Sequence, residues 1–344
     1  YTLSLHDAFR SSLTADTKGV ATVAIGVSAL KNQNHTTTTS TYNTAVGYVA
    51  GRDTTTGIRN TFFGALAAYD GSNGDDNTIV GYAAGQNNTG SRNVFVGGNA
   101  ADSNVGAKDN VAIGHLALRT NTAGNRNVAI GRSALQLANT TTDTDTYNTA
   151  VGALAGLNVT TGISNTFIGG VAGDLCTTGS GNTAVGTSAM TSNTITGDDN
   201  TAVGVAAMAA ILSGSNNLAL GHDAGRTGSP GGNITTGDNQ IALGDENITS
   251  CHIQVDWTVA SDERDKTDFV DLDLGLDFVK ALEPVTYYWD KRSKYGDKHA
   301  DDYDLNAQTP DGTHKEDWMD VGFKAQSVQA LEEAAGYKLS DKKN

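Results

Sequence analysis

The chain has 344 residues, of which 38% are hydrophobic and only 6% aromatic, and its formal net charge is −15. An acidic chain without clustered basic residues is unsuited to a phosphate backbone, which argues against nucleic acid as a partner. No run of eighteen apolar residues occurs, so no membrane insertion is predicted. Residues 1–19 lack the basic start and apolar run of a signal peptide, and two cysteines are too few for a disulfide framework.

A five-residue motif recurs throughout residues 22–244. It consists of asparagine, a small or β-branched residue, two apolar residues and glycine, as in NTAVG at residues 43–47. The glycines of the full copies are Gly47, Gly64, Gly81, Gly97, Gly114, Gly131, Gly152, Gly169, Gly186, Gly204 and Gly221. With weaker copies ending at Gly26 and Gly244, consecutive motif glycines are 16 to 23 residues apart and most often 17. This regular spacing indicates a repeat architecture.

Each repeat unit is predicted to be one coil of a parallel β-solenoid. The apolar part of the motif is too short for a helix and rich in strand formers, and polar turn residues such as 52–57 separate the copies. A coil of about 17 residues accommodates two short strands and two corners, and thirteen coils stacked about 4.8 Å apart make a rod of roughly 60 Å. The fold class is therefore mainly β, with residues 1–21 as a lead-in and residues 22–250 as the solenoid.

The glycine and asparagine that recur in every full repeat have structural interpretations. The glycine suits a corner that needs a positive φ or a close backbone approach, and the asparagine suits a stacked amide ladder or a turn. Ligand binding by either residue is a weaker interpretation. A single coil cannot bury its apolar edge, and the low aromatic content predicts a narrow core of Ala, Val and Ile. Such a thin rod buries more surface if several chains share one axis, so an oligomer is expected.

A longer repeat lies within the array. Residues 41–47 match residues 146–152 at an offset of 105, which indicates that a block of six coils was duplicated. The threonine-rich stretches 35–41 and 140–146 add residues to a corner immediately before the matching motifs. Extra corner residues usually loop outward, where a solenoid binds its partners. A tolerated insertion without function is an equally good interpretation.

Metal and cofactor sites are not predicted. His115 and His222 each follow a repeat glycine without a second ligand at metal spacing, so both are expected to face outward. The Asp/Asn/Gly clusters at 74–77, 197–200 and 237–239 lack the alternating carboxylates of a calcium loop, so ordinary turn chemistry is favoured. Cys176, between two repeats, is interpreted as a small filler.

The composition changes after the array. Residues 1–260 contain 29 charged side chains and residues 261–344 contain 32. Residues 251–260 form a connection with the alternation of a strand, and residues 261–344 have an α+β pattern. The predicted elements are a helix through Leu272, Leu276 and Val279 that ends before Pro284, a strand at 285–289, a polar connection at 290–320, a strand at 321–326 and a helix at 327–335.

Two family resemblances follow from these motifs. The repeats resemble the head repeats of trimeric autotransporter adhesins, which form a left-handed parallel β-roll in a trimer, and resemble the repeats of bacteriophage tail fibres more closely. The segments SDERDK at 261–266, LEPVTYYW at 282–289 and VGFKAQSVQ at 321–329 resemble the C-terminal intramolecular chaperone domain of phage tail fibres and tailspikes. The three blocks occur in the family's order, directly after a fibrous domain, and cover residues 261 to about 335.

The second resemblance implies a self-processing domain. It implies that the domain trimerises, drives folding of the fibre and cuts itself off between Ala260 and Ser261. Ser261 would be the nucleophile and Lys266 its base, with Asp262 and Gln326 in support. A lysine desolvated enough to be neutral can accept the serine proton. The chain would then be at most a single-turnover serine endopeptidase without an external substrate.

The residues around Ser261 are by themselves a weak signal. A serine followed five residues later by a lysine is equally a helix N-cap before solvated charges. On one ideal helix the two side chains would lie on different faces, so a dyad requires a bend or a lysine from another chain.

The expected function is host attachment by a homotrimeric viral tail fibre. Its partner would be a cell-surface receptor, with a glycan as the expected kind, and its location would be the virion tail, outside the cell. One alternative is a cellular surface adhesin that carries the same chaperone module. A polysaccharide-degrading spike is disfavoured, because the repeats offer no distinctive carboxylate pair.

Overall fold

The computed structural model describes residues 12–71, 73–192, 194–251, 276–290, 292, 295–296 and 307–336. The chain divides into two compact units, Tyr1–Ile248 and Thr249–Asn344. The predicted strand at residues 253–259 and the first part of the predicted helix, including Leu272, lie outside the described residues.

The first unit is a parallel β-solenoid, which confirms the predicted fold class. Its strands are β1 (Gly19–Val20), β2 (Val23–Ile25), β3 (Thr39–Ser40), β4 (Thr44–Val46), β5 (Thr61–Phe63), β6 (Thr78–Val80), β7 (Val94–Val96), β8 (Val111–Ile113), β9 (Gly124–Asn125), β10 (Val128–Ile130), β11 (Thr144–Asp145), β12 (Thr149–Val151), β13 (Thr166–Ile168), β14 (Thr183–Val185), β15 (Thr201–Val203), β16 (Leu218–Leu220) and β17 (Ile241–Leu243). All except β1, β3, β9 and β11 form one 13-stranded sheet, in which spatial neighbours are consecutive coils. The motif is aligned throughout, with Ala45 opposite Phe62 and Phe62 opposite Ile79.

The core of the solenoid is narrow, as expected, but its composition differs from the prediction. Side chains alternate along a strand, so the middle residue of each three-residue strand faces the interior. Most of these residues are fully buried alanines, with Phe62, Phe95 and Phe167 as the largest. The motif valines were expected in the core, but most of them occupy the first or third strand position and therefore face outward.

Most coils contain one strand rather than the two that were predicted. After the motif glycine the chain forms a turn segment with residues in left-handed conformation, such as Leu66 (φ 60°) and Ala68 (φ 49°). Left-handed residues at alternate positions are incompatible with a strand. The turns still stack, because Gly51 donates its N–H to Ala67 O at 2.8 Å and Ala68 donates to Ala84 O at 3.0 Å.

The repeat asparagines form a stacked ladder, which was one of the two predicted interpretations. The side-chain oxygen of each accepts the backbone N–H of the next, as from Asn60 to Asn43 at 2.9 Å and from Asn77 to Asn60 at 2.9 Å. The amide nitrogen of Asn43 donates to Gly57 O at 2.7 Å in the opposite corner. All repeat asparagines from 43 to 217 are buried, and these bonds satisfy groups that would otherwise be costly to bury.

The repeat glycines lie where neighbouring corners approach most closely. Gly114 has φ +134°, and a Cβ atom there would lie 2.5 Å from the carbonyl oxygen of Gly131. Both the backbone conformation and the short approach therefore require a residue without a side chain at this position.

The threonine-rich insertions extend the coils. They contain β3 and β11, which pair in parallel with β1 and β9 of the preceding coils. Thr41 and Thr146, at the ends of the insertions, are buried. The expectation of freely projecting loops is therefore wrong for these parts of the insertions, because their backbone groups are used in additional strand pairs.

The described residues of the second unit form an antiparallel strand pair, here called the hairpin, and two helices. Its elements are α1 (Leu276–Ala281), β18 (Pro284–Tyr287), β19 (Asp320–Phe323) and α2 (Ala325–Ala334). The strands are antiparallel, with Pro284 opposite Phe323 and Tyr287 opposite Asp320. This arrangement agrees with the predicted α+β pattern, apart from shifts of a few residues at the element ends.

Candidate functional site

The predicted cleavage residues are only partly described. Ala260, Ser261, Asp262 and Lys266 lie outside the described residues, and Gln326 is the one member of the predicted set within them. Gln326 is exposed in the first turn of α2.

The prediction that Gln326 ends a strand is wrong. β19 stops at Phe323, and Lys324 is the N-cap of α2 with φ −72° and ψ 116°. A residue with these extended angles completes the turn into the helix, which therefore begins two residues earlier than predicted.

The hairpin brings two of the three motif blocks together. The block at 282–289 contributes β18, and the block at 321–329 contributes most of β19 and the start of α2. Tyr287 and Trp289 stack edge to face with ring centroids 5.4 Å apart. Pro284 is the first residue of its strand, a position where its missing N–H costs no ladder hydrogen bond.

Described residues of the connection between the two strands form hydrogen bonds and ring contacts with the end of β18 and the residues that follow it. Asp290 accepts a hydrogen bond from the Tyr295 hydroxyl at 2.7 Å and another from the Gly312 N–H at 2.8 Å. Glu316 donates its N–H to Trp289 O at 2.8 Å, and the Lys315 ammonium lies 4.2 Å from the centre of the Tyr288 ring. The polar segment predicted between the strands is therefore anchored at both ends.

The second unit exposes apolar side chains that a monomeric domain would bury. The exposed fraction is 58% for Trp318, 74% for Val321 and 52% for Phe323. Neither α1 nor α2 contains a buried residue. Clusters of exposed large apolar residues mark interaction surfaces, so the described part of this unit presents a face suited to association.

The solenoid has an exposed apolar stripe of its own, which we call the apolar column. It consists of the third residue of each strand in the large sheet, and every member is apolar and at least partly exposed. The members are Ile25, Val46, Phe63, Val80, Val96, Ile113, Ile130, Val151, Ile168, Val185, Val203, Leu220 and Leu243. At one strand spacing per coil the column is roughly 58 Å long. A face that is exposed to solvent does not require large apolar side chains such as these. The column therefore indicates a surface suited to association along the sheet.

His222 has neighbours that the spacing analysis missed. Its Nδ1 lies 3.3 Å from Asp245 Oδ2 and 3.5 Å from Asp223 Oδ2. Asp245 follows Gly244 as His222 follows Gly221, so stacking of the two coils brings residues 23 positions apart together. The prediction that His222 has no second potential metal ligand nearby was therefore wrong. The prediction that His222 faces outward was correct. Both carboxylates already accept other hydrogen bonds, Asp223 from Arg226 at 2.6 Å and Asp245 from Asn247.

The acidic turn clusters serve the stacking of the coils. Asp75 accepts the N–H of Ile58 at 2.9 Å, Asp198 that of Ser180 at 2.7 Å, and Asp238 that of Ser215 at 2.7 Å. Each carboxylate thus caps a donor of the preceding coil, which supports turn chemistry as the interpretation of these clusters.

Cys176 is the filler that was expected. It is fully buried, its Sγ donates to Gly179 O at 3.6 Å, and burial raises the pKa of its thiol to about 12. A thiol with this pKa is protonated and unreactive at neutral pH.

The fold and these surfaces define a class of protein, a β-solenoid followed by a small α+β unit with an exposed apolar face. Residues 261–337 match the family model described as chaperone of endosialidase. The chain therefore has a chaperone of endosialidase domain at its C-terminal end, after a β-solenoid, a combination typical of phage tail fibre and spike proteins. No curated protein and no solved structure matches the chain significantly. None of the described helices is long and apolar enough to cross a membrane.

Proposed function

We propose that the protein is a homotrimeric phage tail fibre or spike that attaches to a host cell. The observation that carries the proposal is the apolar column, because thirteen apolar side chains that are at least partly exposed and stacked one per coil need a cover. Chaperone of endosialidase domains function in trimeric proteins. Three parallel copies around one axis can turn their columns towards that axis and bury them together.

The C-terminal unit supports the same assembly. Its exposed Trp318, Val321 and Phe323 would be covered by neighbouring copies in a trimer. A globular trimer at one end also aligns three chains whose coils are nearly identical, and it holds them at high effective concentration while the coils form. This is the role of a folding guide.

The proposed processing step is cleavage between Ala260 and Ser261. The Ser261 hydroxyl oxygen adds to the carbonyl carbon of Ala260, neutral Lys266 takes the hydroxyl proton, and the Ser261 amide nitrogen leaves with that proton. An ester joins the two residues until water hydrolyses it, which releases the Ala260 carboxyl group and regenerates the serine. The motif and its place at the start of the family match support this assignment. Asp262 and Gln326 are proposed as supporting residues.

The proposed receptor is a cell-surface glycan. A surface depression of about 430 Å³ lies beside the second threonine-rich insertion and is lined in part by Thr122, Thr141 and Asp143. Hydroxyl and carboxylate groups of this kind can hydrogen-bond sugar hydroxyls. Pull-down with host surface polysaccharide tests this part, and equal capture of the parent and a Thr141→Ala/Asp143→Ala double variant would contradict the depression as the site.

One pair of variants tests the trimer. Phe63 belongs to the apolar column and is 56% exposed in a single chain, so Phe63→Asp leaves the coil intact but places a charge in the proposed interface. Thr56 is exposed in the preceding coil but away from the column, so Thr56→Asp is the matched control. Light scattering should give a trimer for the parent and for Thr56→Asp, and a loss of trimer for Phe63→Asp. A monomeric parent would contradict the proposal.

A further inference from the structure

The residue before each repeat asparagine forms another column along the solenoid. In five successive coils this residue is charged and the sign alternates. We call this set the charge ladder, and its members are Arg59, Asp76, Arg92, Asp109 and Arg126. All five have a left-handed backbone with φ between 58° and 61°, so their side chains leave the coils in equivalent directions.

Neighbouring members of the charge ladder attract one another. Arg59 donates two hydrogen bonds to Asp76, at 2.5 and 2.9 Å, and Arg92 donates two to Asp109, at 2.6 and 2.9 Å. The hydrogen bond from Arg59, then the charges of Arg59 and Arg92, hold the pKa of Asp76 below its usual value. The pKa of Asp109 is lowered in the same way by Arg92 and Arg126. Each carboxylate therefore forms an ion pair with the arginine of the coil before it, and the charge of the arginine in the coil after it also favours the ionised form.

The strand pattern of the repeat does little to distinguish one coil from the next. The strands β5, β6 and β7 have the same length, the same buried middle position and the same flanking asparagine and glycine. Strands with the same pattern can pair in alternative orders at little cost in local contacts. A chain that stacked β5 directly on β7 would leave out one coil and still form the asparagine ladder and the glycine corners.

The charge ladder penalises such an omission. Stacking β5 on β7 places Arg59 against Arg92, and stacking β6 on β8 places Asp76 against Asp109. Like charges opposite each other destabilise a strand pair, whereas opposite charges stabilise it. Lys108 lies beside Asp109 and is paired with Asp143 at 3.1 Å, and its positive charge weakens the repulsion between Asp76 and Asp109. The repulsion between Arg59 and Arg92 is therefore the stronger of the two.

We propose that the charge ladder specifies the order in which the coils stack, by turning the omission of any single coil between β5 and β10 into a like-charge contact. The inference concerns contacts within one chain and does not depend on the proposed function. The duplicated block lacks this device, because the offset of 105 places Ser164 and Gly181 where the first block has Arg59 and Asp76.

A disulfide can report the omission of β6. Thr61 and Val94 begin β5 and β7, and each pairs with Thr78 of β6 between them. Their Cα atoms are two strand spacings apart, about 9.6 Å, which exceeds the limit of about 7 Å for a disulfide. In the full chain with Thr61→Cys, Val94→Cys, Cys176→Ala and Cys251→Ser, both native thiols are removed. When this chain refolds in a glutathione redox buffer, an intrachain disulfide forms only when β5 stacks on β7. Non-reducing electrophoresis separates it from interchain products.

The order of the charges is tested at constant composition. The exchange Asp76→Arg with Arg92→Asp puts like charges in adjacent coils and makes the omission of β6 attractive. We expect the intrachain disulfide fraction to rise about fivefold over the parent. Reversal of all five members, made together with Asp75→Asn and Asp145→Asn because those carboxylates lie beside Arg59 and Arg126, keeps the alternation and should give the parent fraction. Equal fractions in the parent, the exchange and the reversal would overturn the proposal.

A variant with an uncharged ladder tests the proposal even if the exchange of Asp76 and Arg92 prevents folding. Arg59→Gln, Asp76→Asn, Arg92→Gln and Asp109→Asn together introduce no repulsion into the native order, and the disulfide fraction should rise above the parent. An unchanged fraction in this variant would also overturn the proposal.

The duplicated block is the matched control. With Cys176→Ala and Cys251→Ser again removing the native thiols, Thr166→Cys with Thr201→Cys reports the omission of β14, where the ladder positions are not alternately charged. This pair should form more disulfide than the first pair, and 1 M NaCl should raise the fraction only for the first pair, because salt screens exposed charges. A first-block fraction that does not respond to salt would count against the charge ladder.

Discussion

Asn127 donates its backbone N–H to the side-chain oxygen of Asn110 at 2.9 Å, and the Asn110 amide nitrogen donates to Gly124 O at 3.0 Å. Each repeat asparagine thus satisfies a buried donor in the next coil and a buried acceptor across its own coil. The ladder is the internal scaffold on which the exposed columns of the solenoid are displayed.

The first prediction concerns this ladder. Asn110→Leu removes both hydrogen bonds and leaves the N–H of Asn127 without its buried acceptor, whereas the Gly124 carbonyl keeps the Asn121 amide as a donor. The free energy of unfolding should fall by about 2–4 kcal/mol, or the yield of folded protein should collapse. Chemical denaturation measures the difference. Asn158→Leu is a control, because Asn158 is half-buried and outside the ladder, and a loss as large as that of Asn110→Leu would contradict the prediction.

The second prediction compares two adjacent glycines. Gly169 has φ +136°, and a Cβ atom there would lie 2.5 Å from Gly186 O, whereas a Cβ atom at Gly170 would meet nothing within 4 Å. Gly169→Ala should lower the free energy of unfolding by at least about 2 kcal/mol, and Gly170→Ala should change it little. Gly114→Val should lower the yield of soluble trimer for the same reason. Equal melting of the two alanine variants would show that the corner is not sterically restricted.

The third prediction concerns cleavage. Ser261→Ala removes the proposed nucleophile and Lys266→Ala the proposed base, so each variant should remain full length under conditions in which the parent is cut. The mass of the purified chain provides the measurement. The control is Ser327→Ala, in the exposed first turn of α2, which should be cut as the parent is. Cleavage in Ser261→Ala, or at another bond, would reject the dyad.

The fourth prediction concerns refolding. Once the guide is removed, a cut rod has no means to align three chains of similar coils, so its persistence depends on slow unfolding rather than on equilibrium. Cut rods diluted from denaturant should not regain trimer, whereas Ser261→Ala chains should do so in part. Size exclusion measures the recovery. The same recovery with and without residues 261–344 would show that they are not a folding guide.

The sequence alone determined the solenoid. A period near 17 residues aligns identical short motifs in successive coils, and only parallel stacking can bury their apolar middle residue. The roles of Asn43 and Gly114 followed from the same logic, because a residue type that recurs at one position of every coil must satisfy a requirement of every coil. The C-terminal domain was recognised from three short blocks whose order is sufficient to identify it.

Tertiary structure decided what depends on contacts between coils or on local backbone angles. The Asp245 carboxylate reaches His222 only because two coils 23 residues apart stack, and the extended Lys324 moves Gln326 from a strand to a helix. The pairing of Arg59 with Asp76 has a signal in the sequence, because the residues that precede successive repeat asparagines alternate in charge. Its meaning required the stacked coils, because a charge has a partner only where the fold brings another charge within a few ångströms.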